Sequence, residues 1–135
     1  MSRPHIPAAL RRKIAHEAGH RCSYCLVSQL FTAMPMHIEH IVPVSAGGTS
    51  TEENLCLACP LCNGYKGIQT HYLHPETGLA TPLFNPRQQK WWSHFRWSQD
   101  GTEIIGLTPT GEVTVLALRL SELPRRKRTG YHLLS

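Results

Sequence analysis

Two Cys-x-x-Cys pairs, Cys22/Cys25 and Cys59/Cys62, stand with thirty-three residues between them in a chain of 135 residues. A two-residue spacer lets both thiolates of a pair reach one ion at about 2.3 Å, and two such pairs complete a tetrahedral zinc site with no position left for solvent. The odd cysteine, Cys56, lies in the apolar run Leu55-Cys56-Leu57-Ala58 and reads as a small buried side chain, because four ligands already fill a structural site. Interleaved with this cage are Glu39, His40, Asn54 and Asn63, which a zinc staple does not need. An imidazole with a pKa near 6.5 accepts a proton at neutral pH, and carboxylate and amide oxygens are hard ligands. Taken one at a time, Glu39 reads as an ordinary exposed charge and His40 as a hydrogen-bonded core histidine. Taken together around one zinc framework, they point to chemistry.

The segments Glu39-His40-Ile41-Val42-Pro43, Gly47-Gly48, Asn54-Leu55, Cys59-Pro60-Leu61-Cys62-Asn63 and Lys66 resemble the HNH (His-Asn-His/Asn) nuclease family over about residues 20–67. The steps of fourteen residues from His40 to Asn54 and nine from Asn54 to Asn63 are similar to that family's spacings. The resemblance implies a ββα-metal core wrapped by the zinc cage. It implies metal-dependent hydrolysis of DNA, double-stranded by expectation, leaving 5′-phosphate and 3′-hydroxyl ends.

By the same resemblance His40 is the general base, and Glu39 and Asn63 hold a catalytic Mg²⁺ or Mn²⁺. Asn54 either orients the His40 ring or ties down its loop. Lys66, one helical turn past Asn63, either contacts a phosphate or is simply solvated. Glu39 departs from the aspartate or histidine common at its position and is one methylene longer than aspartate. His37 shares a strand face with Glu39; it is read as an ordinary strand histidine before an extra ligand. The alternative function is a non-catalytic zinc-stabilised DNA-binding module, which would keep the cysteines and have no use for the other four residues. A redox protein is weaker, since two pairs suited to one ion are better explained together.

Fourteen Lys and Arg against nine Asp and Glu leave a formal charge of +5 and a pI near 9.2, which attracts polyanions without specifying a sequence. The charge sits at both ends: Arg3, Arg11, Arg12, Lys13 and Arg21 before the core, and Arg125, Arg126, Lys127 and Arg128 near the close. No apolar leader begins the chain and no run approaches the ~20 residues of a membrane helix. Metal-spaced thiols and no leader favour a reducing cytoplasm over a disulfide framework.

The elements that must position these residues make an α+β protein, expected as one domain over 1–135: a zinc-stapled core at about 20–67, an extension at about 83–120 packed on it, and a basic tail at 121–135. Leu10, Ile14 and Ala18 at four-residue spacing predict a helix over 7–18, stopped by Gly19, with Arg11, Arg12 and Lys13 solvated or facing DNA. Strands are expected at 34–42 and 55–58, joined by a glycine-rich loop, and a helix from Cys59 through Lys66. Residues 67–82 read as an irregular wrap around the turn Pro75-Glu76-Thr77-Gly78, with His71 and His74 as surface histidines. Asn85-Pro86 predicts a helix start leading into 88–94. Trp91, Trp92, Phe95 and Trp97 read as a second apolar cluster before a base-stacking surface. Asp100-Gly101 predicts a hairpin of 95–99 with 102–106. The run 107–120 suits strand or helix; similarity to the C-terminal extension of one bacterial HNH subgroup favours a helix over 112–118.

Overall fold

The computed structural model describes residues 5–122, so the basic run at 125–128 and most of the expected tail lie outside the described residues. The first element, α1 (Ala8–Glu17), follows Pro7 and presents Ile14, only 1% exposed, to the rest of the molecule. Ile14 packs with Ile6 and Leu55, and Leu10 and Ile38 flank them. This small core holds α1 against the central hairpin of β1 (His37–His40) and β2 (Leu55–Ala58). The two strands are antiparallel, with Glu39 opposite Cys56 and His40 opposite Leu55. Next comes α2 (Pro60–Lys66), capped by the Cys59 thiol, which accepts from the Cys62 amide, and opened by Pro60, whose missing N–H costs nothing in a first turn.

β1 is shorter than the strand expected at 34–42. Residues 29–31 form a single 3₁₀ turn capped by Ser28. The Gln29 side chain then takes the Met36 amide at 3.0 Å and donates to the Met34 carbonyl at 3.2 Å. Those backbone groups are satisfied before any ladder forms, and Pro35 has no N–H to offer one.

Residues 67–82 are more regular than the wrap expected of them. β3 (His71–Leu73) pairs antiparallel with β4 (Ala80–Pro82) across the Pro75–Gly78 turn. Asn85 does start a turn, accepting from the Arg87 amide at 2.9 Å. The helix does not run on from it, and α3 is the four-residue piece Trp91–His94. β5 (Phe95–Trp97) and β6 (Ile104–Gly106) pair as expected, but Trp97 stands opposite Ile104, so the loop spans residues 98–103. Asp100 accepts there from Ser98 and Thr102 and widens the turn. The ambiguous run resolves as α4 (Pro109–Leu118), begun by the Thr108 hydroxyl accepting from Gly111 at 3.0 Å.

A mixed α+β architecture with three two-stranded antiparallel sheets is the result among the described residues. Its main apolar cluster runs from the cysteine knuckles and Tyr24 through Phe84, Trp91, Phe95 and Ile104 to Val113 and Leu118. Fully burying one such side chain contributes about 1.5–3 kcal/mol. The extension is pinned to the knuckle by the Trp91 indole, which donates to the Tyr24 carbonyl at 2.8 Å. Trp92, half exposed, stays outside this cluster's interior.

Candidate active site and metal centre

The knuckles bring Cys22, Cys25, Cys59 and Cys62 together, all buried, all free thiols, with sulfurs within 4.8 Å of one another. Cys25 and Cys59 sulfurs lie 3.7 Å apart, close to the edge of about 3.8 Å that a tetrahedron with 2.3 Å metal–sulfur bonds requires. The Cys25 and Cys62 amides point at Cys22 and Cys59 sulfur at 3.5 and 3.4 Å, so each knuckle turn offers N–H groups to developing thiolate charge. Soft donors, number and spacing all fit zinc. Cys56 is buried and stands outside this group, as a non-ligand should.

Strand alternation turns Glu39 inward and His40 towards the edge. Glu39 is 5% exposed. Its Oε2 accepts the Tyr24 hydroxyl at 2.8 Å and the Cys56 thiol at 3.4 Å. Its Oε1 has no hydrogen-bond donor, although the Lys66 ammonium is 3.7 Å away. Burial pushes the Glu39 carboxyl pKa up, opposed by the charge of Lys66 and the hydrogen bonds from Tyr24 and Cys56. A carboxylate held by one oxygen, with the other unbonded, can accept a hard cation.

His40 is half-buried, and its Nε2 shares a 2.9 Å hydrogen bond with the Ser50 hydroxyl. Burial, then the charge of Lys66, lowers its pKa, which favours the neutral ring that can accept a proton. In the tautomer that donates from Nε2 to Ser50, Nδ1 keeps its lone pair, and no hydrogen bond engages Nδ1 among the described residues.

While the His40 ring bonds to Ser50, Asn54 ties down the loop, and its hydrogen bonds go to the backbone there. Its amide donates to the Val42 and Thr49 carbonyls and its Oδ1 accepts from the Val42 N–H, each at 2.9 Å. Gly47 turns the chain at φ +90°, and a Cβ on Gly48 would fall 1.7 Å from the Val42 carbonyl oxygen. The glycine pair therefore lets the 43–54 loop fold back on itself and brings Ser50 to His40.

Lys66 departs from both roles expected of it. It is 1% exposed, and its ammonium donates to the Ile41 carbonyl at 2.9 Å while neighbouring Glu39. Neither solvent nor a phosphate reaches a side chain so committed. His74 also departs: it is buried, with Nε2 3.1 Å from Glu112 and Nδ1 accepting from the Glu76 amide. His71 is exposed as expected; His37, read as an ordinary strand histidine, is exposed on the wall of a cleft.

Glu39, His40 and Asn63 line one open cleft of about 430 Å³, with His37 and Arg11 on its walls. Four groups around them were not singled out in the sequence: Tyr24, Ser50, the Cys56 thiol as a partner of Glu39, and Arg11 as part of the cleft. Tyr24 carried a signal, since it lies between two ligand cysteines. Ser50 carried none, because its place depends on a loop's path; Arg11 carried only its charge, on a helix read as solvated or facing DNA, and its place in this cleft depends on that helix's docking.

A strand pair bearing Glu39 and His40, a helix bearing Asn63 and a thiol cage at its base define a ββα-metal unit. Residues 22–69 match the family model described as HNH endonuclease. No curated protein and no solved structure matches the chain.

Proposed function

We propose that this chain, working as a single domain, is a metal-dependent endonuclease that hydrolyses phosphodiester bonds of double-stranded DNA. The observation that carries the reading is the convergence of His40, Glu39 and Asn63 on one open cleft. His40 Nδ1 takes a proton from the attacking water while Ser50 accepts from Nε2 and holds the ring. General-base assistance of this kind typically supplies 10²–10⁴-fold in rate. Glu39 Oε1 and the Asn63 amide would hold Mg²⁺ or Mn²⁺, since a hard ion keeps open positions for water and phosphate. That ion, when bound, neutralises charge on the phosphate and on the departing 3′-oxygen. Tyr24 and Lys66 orient and balance the Glu39 carboxylate from behind. The thiol cage holds a structural zinc, in keeping with a reducing cytoplasm.

Supercoiled plasmid with Mg²⁺ or Mn²⁺ tests the reading, comparing wild type and His40→Ala, each shown to hold zinc and to melt as wild type does. Nicking or linearisation by the wild type, lowered at least ~100-fold by His40→Ala, is the expected result. Equal cleavage by both proteins would mean a contaminating nuclease or a base other than His40, and none by either while salt-dependent DNA binding persists would instead leave a zinc-stabilised DNA-binding module.

A further inference from the structure

A cleft that takes a phosphodiester needs a cation, because phosphate contacts set both the position of the nucleic acid and most of its affinity. The lysine expected to supply it, Lys66, is sealed in the core. Nearby cations are committed elsewhere. Lys13 pairs with Glu52 at 2.6 Å, and Arg87 pairs with Glu17 at 3.1 Å and donates to the Leu55 carbonyl. Arg21 donates to the Leu26 carbonyl at 3.1 Å. None of these three lines the cleft of His40, whereas Arg11 does.

We propose that Arg11 is the residue that grips the substrate phosphate in this cleft, a role that rests on the nuclease reading above. Arg11 is exposed, yet its Nε donates to the Ile6 carbonyl at 3.2 Å. Ile6 is itself buried with Ile14 and lines the same cleft. One edge of the guanidinium is thereby anchored to a packed residue. Its two Nη groups have no hydrogen bond or ion pair among the described residues. A planar fork held by one edge matches two oxygens of a phosphate and loses less freedom on binding than a lysine stem. The ligand class is a phosphodiester, and the source is α1, which lies before the segment matching the family. Arg12 is the natural control: it is exposed on the same helix and does not line the cleft.

The test uses the full chain with zinc verified. A short DNA duplex is titrated by anisotropy across a salt series without divalent ion, and kcat and KM are measured separately in Mg²⁺. Arg11→Ala should flatten the plot of log affinity against log salt by about 1, the mark of one lost phosphate contact. It should also lower kcat/KM ~10-fold or more, with Arg11→Lys between it and the wild type and Arg12→Ala near wild type in kcat/KM. Arg11→Gln, which keeps the stem and a donor for Ile6, replaces Arg11→Ala should that variant melt early. An unchanged salt slope in Arg11→Ala or Arg11→Gln, with kcat/KM no lower than in Arg12→Ala, overturns the assignment. If the wild type fails to cut DNA while the slope still falls, the phosphate contact stands and the nuclease reading falls.

Discussion

His40 and Lys66 show how one side chain's surroundings decide its role. Burial and the nearby ammonium lower the His40 pKa, so the ring is more fully neutral than an ordinary imidazole at the same pH. The cleavage rate should therefore fall only as pH drops below the usual imidazole value of 6.5, because protonation removes the base. A single-turnover pH series checks this. A midpoint above the ordinary value would contradict it. Ser50→Ala should lower kcat with KM little changed, since the hydroxyl holds the ring and touches no substrate; Ser50→Thr should restore part of the rate. Lys66→Ala should act on stability rather than on DNA affinity. It leaves the buried Glu39 carboxylate, only 5% exposed, without its cation, and breaking a buried pair costs about 3–5 kcal/mol. Urea denaturation of the zinc-loaded protein measures the loss, and an unchanged salt slope for DNA binding separates Lys66 from Arg11.

Among the elements, the loop between β1 and β2 does more than connect. Asn54 satisfies Val42 on both its N–H and carbonyl and also holds Thr49. Gly48 fits only because it has no Cβ to meet the Val42 carbonyl. Gly48→Ala should therefore lift the loop, cost about 1–3 kcal/mol as an overpacking change, and reduce cleavage by carrying Ser50 away from His40. Zinc content should stay at the wild-type level, since the knuckles are elsewhere; a melting curve and a metal assay read the two separately. An unshifted melting temperature would mean that the loop tolerates the methyl group. Most of the core elements were legible in the sequence: β2 and the helix of the knuckle follow from the apolar run Leu55–Ala58 and from Pro60 after a capping cysteine. The strand limit at His37 was not, because it depends on the Gln29 side chain reaching Met34 and Met36. The β3–β4 hairpin was not either, since both strands are short and largely exposed and carry little apolar alternation.

For the molecule as a whole, the thiol cage and the C-terminal extension share one apolar cluster, with Trp91 bonded to the Tyr24 carbonyl inside the first knuckle. Zinc chelation should disturb both at once. The expected readout is a red shift and quenching of tryptophan emission in step with release of one zinc per chain, since a structural site contributes its binding energy to folding. Emission unchanged after full zinc release would mean the extension stands alone. No helix among the described residues is long and apolar enough to cross a membrane. The contact between α1 and the central hairpin matters as much, because it is what brings Arg11 to the cleft of His40.

What the sequence determined by itself was the chemistry available and its local spacing. Two Cys-x-x-Cys turns specify a four-sulfur site wherever they meet, and Glu39-His40 on a strand must face opposite sides because side chains alternate. Tertiary structure alone decided which neighbours each group would have. It put Lys66 behind Glu39 instead of out towards a phosphate, brought Ser50 to His40, and placed Arg11 across the cleft. Ion pairing and burial arise between segments far apart in the chain, such as Glu39 with Tyr24 and Lys66. Residue types at neighbouring positions carry no trace of those meetings.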